Sequence, residues 1–381
     1  SFGTGAFGVC SGLTSVVIPS SVTSISSNAF YGCSSLASVT ALPVYPAVMN
    51  ENSFEGVYNT AKLSVPNESV NDYITSNWSL FKNIQNSSGT ELEYFSDGVL
   101  EYRLNPADAT AFVIGAKSYS NLQIPERFTD DTDTANPVRY NIKGIGYKAF
   151  YKKDVKSVEF NSRSKMEYIG DYAFANTNIS SITLPETMKN IGDYAFEETG
   201  LTSIDIPKSV KSIGDYAFFN TTKLYEVALH EGLESIGAYS FAAEEGRSIE
   251  LTPIYMPSSV QTVGMSAFEN YKCSKVEISD LTAWFGIDFG SGTANPLFGG
   301  TANPLCGSEN GLYINGKQLT RLQVPEGLKE VKSYSFFNCQ SLQEVILPEG
   351  LEIIGSSCFY NCKSLQKVIL PEGLEIIGSS C

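Results

Sequence analysis

The sequence predicts an α/β solenoid, a stack of short coils of about 23 residues each. Three observations carry that prediction. Residues 341–358 read SLQEVILPEGLEIIGSSC and residues 364–381 read SLQKVILPEGLEIIGSSC, an offset of 23 residues with one difference, Glu344 against Lys367. A degraded form of the same pattern, L-x-x-V-x-I-P-x-x-V-x-x-I-G-x-x-A-F-x-x-C, starts again at residues 13, 179, 201 and 224. The Phe of its A-F pair recurs at Phe7, Phe30, Phe54, Phe150, Phe174, Phe196, Phe218, Phe241, Phe268, Phe336 and Phe359, with most neighbouring spacings 22 to 24 residues. The step from Phe268 to Phe336 is the large exception.

Each part of one unit has a physical reading. V-x-I alternates with period two, so it is a short strand with Val and Ile turned inward. Pro ends the strand. The second apolar pair, V-x-x-I, turns the chain back. Gly is expected to supply a tight corner. A-F is expected in a short helical or 3₁₀ turn, with Phe filling the core. Such a unit cannot bury its own apolar face. Stacked on neighbours it can, with its strands lined up as a parallel sheet.

Composition narrows the function. Apolar residues make up 42% of 381, enough for a substantial core, and charged residues 18%. The net charge of −15 repels phosphate backbones and anionic membrane surfaces, so no nucleic-acid partner is expected. No apolar run approaches the length of a membrane span. No signal peptide is legible, and the chain reads as beginning mid-pattern. The eight cysteines are sparse and form no C-x-x-C. P-loop, GxSxG, HExxH and EF-hand patterns are missing from the sequence, so no cofactor, no metal and no catalytic set is expected.

The motif I-G-D-Y-A-F appears three times, at Ile169–Phe174, Ile191–Phe196 and Ile213–Phe218. With the template above, it resembles the BspA-like leucine-rich repeat proteins, a family of secreted and surface bacterial proteins, over nearly the whole chain. The resemblance implies a curved, right-handed leucine-rich repeat superhelix with parallel short strands on its concave face. It also implies adhesion or ligand binding outside the bacterial cell.

Two arrays are expected. Residues 1–90 read as the tail of a first array, closed by a cap in KLSVPNESVNDYITSNWSLFKNIQN with an amphipathic helix around Tyr73, Trp78 and Phe81. A small polar linker follows at 87–90. Residues 91–381 read as a second array. It opens with a hairpin cap at 91–121, turning at Asp97-Gly98 and Asn105-Pro106. Repeats follow at 122–274, a non-repeat insertion at 275–318 and further repeats at 319–381. The insertion holds GTANPLFG and GTANPLCG in tandem and a strand pair around Asn315-Gly316. The last repeat stops before its Phe, so an end cap is expected to be missing.

Candidate binding residues sit where strand side chains alternate away from the core. On the concave face these are Glu159, Thr183, Asp205, Glu226, Tyr255, Arg321, Gln323, Glu344 and Ile346. In the insertion, Trp284, Phe285, Phe289 and Phe298 form either a platform for stacking a sugar ring or the insertion's own small core. The expected partner is an extracellular protein, such as a host matrix or surface protein. A glycan bound by the aromatic insertion is the alternative, and an acidic-residue hydrolase the third reading.

Three further features have plainer readings. His230, the single histidine, takes the Pro position of its repeat and reads as a solvated turn residue. Cys10 and Cys33, Cys339 and Cys362, and Cys358 and Cys381 are each 23 residues apart and read as small core residues in one slot. Asp171, Asp193 and Asp215 form a ladder that either binds a cation or caps the A-F turns through backbone N–H groups.

Overall fold

The computed structural model describes residues 1–247, 249–250, 252–273, 275–290 and 311–381. The chain divides into two compact units. The first comprises Ser1–Tyr119, Ile124–Tyr151 and Asn161–Ala173, and the second Ser120–Gln123, Lys152–Phe160 and Phe174–Cys381. The boundary expected at residue 90 lies inside the first unit. Cys306, Phe298 and the tandem octamers lie outside the described residues.

In the first unit, strands Ser15–Ile18, Ser38–Ala41, Lys62–Val65 and Asn83–Asn86 pair in parallel, each one coil from the last. Their inward residues Ile18, Val39, Leu63 and Ile84 are buried, as period-two alternation requires. The rings of Phe7 and Phe30 stack at 5.2 Å and those of Phe30 and Phe54 at 4.7 Å. A helix at Val70–Thr75 and a 3₁₀ turn at Asn77–Leu80 follow. They bury Tyr73, Trp78 and Phe81 fully. Tyr73 Oη donates to the Pro43 carbonyl at 2.9 Å and Trp78 Nε1 to the Ala47 carbonyl at 2.8 Å. The rings are buried while the polar tips of Tyr73 and Trp78 are satisfied.

The stretch read as a linker is a tight turn. Asn86 Oδ1 accepts the N–H groups of Ser88 and Thr90 at 3.1 and 2.9 Å, and Gly89 has φ +87°. Antiparallel strands Glu93–Ser96, Leu100–Asn105 and Thr110–Ala116 come next. Asp97 Oδ1 holds the first hairpin by accepting from Val99 N and Leu100 N. Thr110–Ala116 then pairs in parallel with Val138–Ile145, which pairs in parallel with Tyr168–Ile169. Phe112 joins the same hydrophobic core as Phe30 and Trp78.

In the second unit, most coils contribute to two rows of strands. The second apolar pairs form a parallel row: Asn190–Ile191, Ser212–Ile213, Ser235–Ile236, Thr262–Val263 and Asp288–Phe289. The V-x-I strands pair in groups. Ser203–Asp205 lies beside Glu226–Ala228, and Ile254–Tyr255 beside Lys275–Ile278, which in turn lies beside Gly311–Ile314. Arg321–Gln323, Glu344–Ile346 and Lys367–Ile369 form a further group. A column of Phe rings runs through the core: Phe174, Phe196, Phe218, Phe241 and Phe268 stack at 5.2 to 5.5 Å.

Two details differ from the sequence reading. The A-F segments are neither helical nor 3₁₀. They are hydrogen-bonded turns with a left-handed residue at each end, such as Tyr194 (φ +56°) and Glu198 (φ +51°), or Tyr216 (φ +57°) and Asn220 (φ +56°). Besides bonds within the turn, such as Glu197 N–H to Tyr194 O at 3.1 Å, their backbones bond to the next coil: Phe196 N–H to Ala217 O and Phe218 N–H to Ser240 O, both at 2.8 Å. That lateral ladder satisfies groups that a helix would satisfy internally. The second difference concerns the corner glycines. Gly214, Gly237 and Gly264 have no left-handed φ, and a Cβ at each would lie 2.4 to 2.5 Å from the backbone of the preceding coil. Glycine is needed there for close approach between coils, not for turning.

Candidate binding face

The strand-face residues are placed by the V-x-I alternation. In Ser203–Asp205 the burial runs half-buried, buried, exposed, so Ile204 faces inward and Asp205 outward. Glu226, Arg321 and Gln323 are exposed on their strands, and Glu344 and Ile346 are half-buried. Glu159 is exposed and accepts a hydrogen bond from Gln123 Nε2 at 2.8 Å. Thr183 is exposed but lies in no strand. Proline follows Leu184, and the strand expected at its coil does not form.

The face is cross-linked between coils. Glu344 lies between two cations, with Arg321 Nε at 2.9 Å and Lys367 Nζ at 2.8 Å. The Lys367 hydrogen bond, with Arg321 beside it, holds the Glu344 carboxyl below the usual carboxylate range. Beside the second row of strands, Lys211–Glu234 and Lys329–Glu352, each 23 residues apart, pair in a similar way at 2.8 and 2.6 Å. Such exposed pairs contribute little individually, but they fix side chains at one-coil spacing. Tyr255 Oη is held by Glu231 at 3.0 Å and Ser279 at 3.1 Å.

His230 is not a lone turn residue. Its Nε2 lies 2.7 Å from Asp205 Oδ1. Asp205 pairs with Ala228 in register, and His230 is two residues on, so both side chains share a face. Sequence reading missed the pair because it needs that register.

The aromatic platform is overturned. Trp284, Phe285 and Phe289 are 1%, 2% and 3% exposed, so no ring face is open to a sugar. Asp280 caps the helix Leu281–Gly286 by accepting from Thr282 N and Ala283 N. The helix turns Trp284 inward, and its Nε1 donates to the Ser335 carbonyl at 2.9 Å. The Phe285 ring lies 5.5 Å from that of Phe336 and stands beside it where a repeat phenylalanine would. The insertion thus carries the core across the long step in the repeat.

The Asp ladder joins coils. Asp193 Oδ1 accepts from Asp215 N at 2.8 Å, and Asp215 Oδ1 from Ala238 N at 2.6 Å. The carboxylates of Asp193 and Asp215 therefore each cap the next coil. Burial, with Asp215 nearby, pushes Asp193 up to about 6, against the pull of the Asp215 N–H bond. Among the described residues no cluster of three metal-ligating side chains occurs. A shallow groove of about 480 Å³ follows this row, floored by Gly214, Gly237 and Gly264 and edged by Asp193, Asp215 and Asp288.

The cysteine slot is mostly core. Cys33, Cys339, Cys358 and Cys362 are buried free thiols, but Cys10 and Cys381 are exposed. Cys362 Sγ donates to the Phe336 carbonyl at 3.2 Å, and burial pushes its thiol up to about 12. Among the described residues no helix is long and apolar enough to cross a membrane.

Several solved structures are similar. The pneumococcal vaccine antigen PcpA is 20% identical, with 74% of this chain and 71% of that chain covered and a TM-score of 0.46. A leucine rich cell surface protein from Faecalibacterium prausnitzii is 22% identical, covering 73% and 76%, with a TM-score of 0.37. A leucine-rich repeat protein from Bacteroides ovatus is 22% identical, covering 75% and 92%, with a TM-score of 0.29. No curated protein matches the sequence. The model of the BspA type leucine rich repeat region matches six copies over residues 1–105, 143–277 and 309–381. With a 23-residue period, laddered coils and a phenylalanine column, the chain belongs to the BspA-type leucine-rich repeat family.

Proposed function

We propose that the chain is a non-enzymatic scaffold outside a bacterial cell that binds a protein partner through its V-x-I strand face. The supporting observation is the fixed outward row: Arg321 and Gln323 stand exposed on one strand, and Arg321 pairs with Glu344 one coil on, which also pairs with Lys367. A rigid ladder beneath presents these side chains already ordered, which lowers the entropy cost of binding. Continuous faces of this kind are how solenoids engage extended partners.

The test is a surface-binding screen of the intact chain against purified host matrix proteins and bacterial surface proteins. Any saturable partner is then measured against the double variant Arg321→Glu with Gln323→Ala. Removing one anchor cluster should weaken binding by about tenfold or more. Full affinity in that variant, with the fold intact, would refute this face as the binding surface.

A further inference from the structure

Two adjoining grooves in the first unit share Lys82 and Tyr94. One, of about 560 Å³, continues along Ser96 and Glu101. The other, of about 350 Å³, continues along Lys62, Asn83 and Glu91. Tyr94 is 50% exposed, and its ring lies over the Arg103 guanidinium at 3.8 Å.

Arg103 is the unusual feature. It is 2% exposed. Its N–H groups donate to the Lys82 carbonyl at 3.0 Å, the Phe81 carbonyl at 3.1 Å and the Tyr94 hydroxyl. All three partners are neutral. A full positive charge is therefore buried beneath the groove, with no carboxylate paired to it among the described residues, an arrangement that is costly without compensation. The Lys82 ammonium lies 5.9 Å from the same ring, and among the described residues no carboxylate pairs with it. Lys62, by contrast, is neutralised by Glu91 at 2.6 Å. In a chain of net charge −15, this is a local excess of positive charge beside an open aromatic ring. Glu101 opposes Ser96 across the hairpin and supplies acceptors at the far end.

We infer that this groove binds a carboxylate-bearing sugar ring, a uronic-acid residue of an acidic oligosaccharide. The sugar's C–H face stacks on Tyr94. Its carboxylate meets Lys82 and the field of Arg103, and its hydroxyls reach Ser96, Asn83 and Glu101. Charge alone would suit any anion, but an inorganic anion leaves the ring face bare. A neutral sugar uses the ring and leaves both cations uncompensated. The inference concerns a different unit from the strand face proposed above and does not depend on it.

The probe is a glucuronate–N-acetylglucosamine tetrasaccharide titrated into the intact chain by calorimetry. A neutral galactose–N-acetylglucosamine tetrasaccharide and inorganic sulfate are run alongside. Saturable binding near about 1 mM is expected, at least about threefold tighter than the neutral sugar and weakened by added salt. Lys82→Gln should remove that preference with an unchanged melting temperature. Tyr94→Phe should keep binding, and Tyr94→Ala should lose it. No saturation by about 20 mM, equal binding of the neutral sugar, or an unaltered Lys82→Gln isotherm would each overturn the assignment. Sulfate binding as tightly as the tetrasaccharide would overturn the sugar and leave only an anion contact.

Discussion

Replacing Gly237 by alanine tests the stacking of coils most directly. The φ of Gly237 is ordinary, so alanine meets no left-handed strain. Its Cβ, however, would lie 2.5 Å from the Gly214 carbonyl carbon and 2.6 Å from both the amide nitrogen and Oδ1 of Asp215. Comfortable carbon contact needs about 3.5 Å, so the two coils must part by about 1 Å. Parting strains the Gly237 N–H bond to Ile213 O at 2.8 Å and the Ala238 N–H bond to Asp215 Oδ1 at 2.6 Å. Overpacking costs about 1–3 kcal/mol, and a buried bond left unmade adds about 1–3 kcal/mol. We expect Gly237→Ala to lose about 3–5 kcal/mol in urea unfolding followed by far-ultraviolet circular dichroism. Gly286→Ala is the control. Its Cβ meets nothing within 4 Å, and its stability should change by less than about 0.5 kcal/mol. If Gly237→Ala stays within about 1 kcal/mol of the parent, close coil approach is not what requires glycine.

Two more substitutions probe the core and the Asp ladder. Phe196 is fully buried between Phe174 and Phe218, so Phe196→Ala should cost about 3–5 kcal/mol by the same assay. A cost under about 1 kcal/mol would remove this ring column as the core anchor. Asp193 has its folded carboxyl raised from 3.8 to about 6, so ionisation disfavours the folded state. That penalty is absent below about pH 4 and grows to its full size above about pH 6. The shift corresponds to at most about 3 kcal/mol, reduced by partial solvent screening to about 1–2 kcal/mol. Asp193→Asn keeps an acceptor for Asp215 N–H, so it should stabilise the chain at about pH 7.5 and leave it unchanged near pH 3.5. The same gain at both pH values would refute a charge origin.

Local pattern was enough for most of the strands and for the phenylalanine column. Val and Ile at period two predict Ile204 inward and Asp205 outward, and that is their burial. The A-F spacing likewise predicts stacked rings, because equal positions one period apart must become neighbours. What depends on the neighbouring coil was not legible. Asp193 looks like a cap for its own turn until Asp215 N is found 2.8 Å away. Tyr216 at φ +57° defies its intrinsic preference, because the ladder bond from its N–H to Ala238 O at 2.7 Å holds it there. The sequence signal that did exist was weaker: asparagine at the second left-handed site, as in Asn176, Asn220, Asn270, Asn338 and Asn361, is tolerant of that conformation. Trp284, Phe285 and Phe289 read as either a surface platform or a small core because the repeat pattern stops around them. Their burial follows from a helix that keeps the core continuous. Lys82, Tyr94 and Arg103 were overlooked because they come from a cap strand and a hairpin that no repeat template joins.

The glycine column has a consequence for how such a chain changes over time. It sets the distance between coils from the inside, using positions that carry no side chain at all. Outward positions such as Asp205, Glu226 and Arg321 take no part in that measure. Pitch and surface are therefore written at different places in each repeat. The face can drift residue by residue, gaining or losing charge, while the frame beneath it keeps the same gauge.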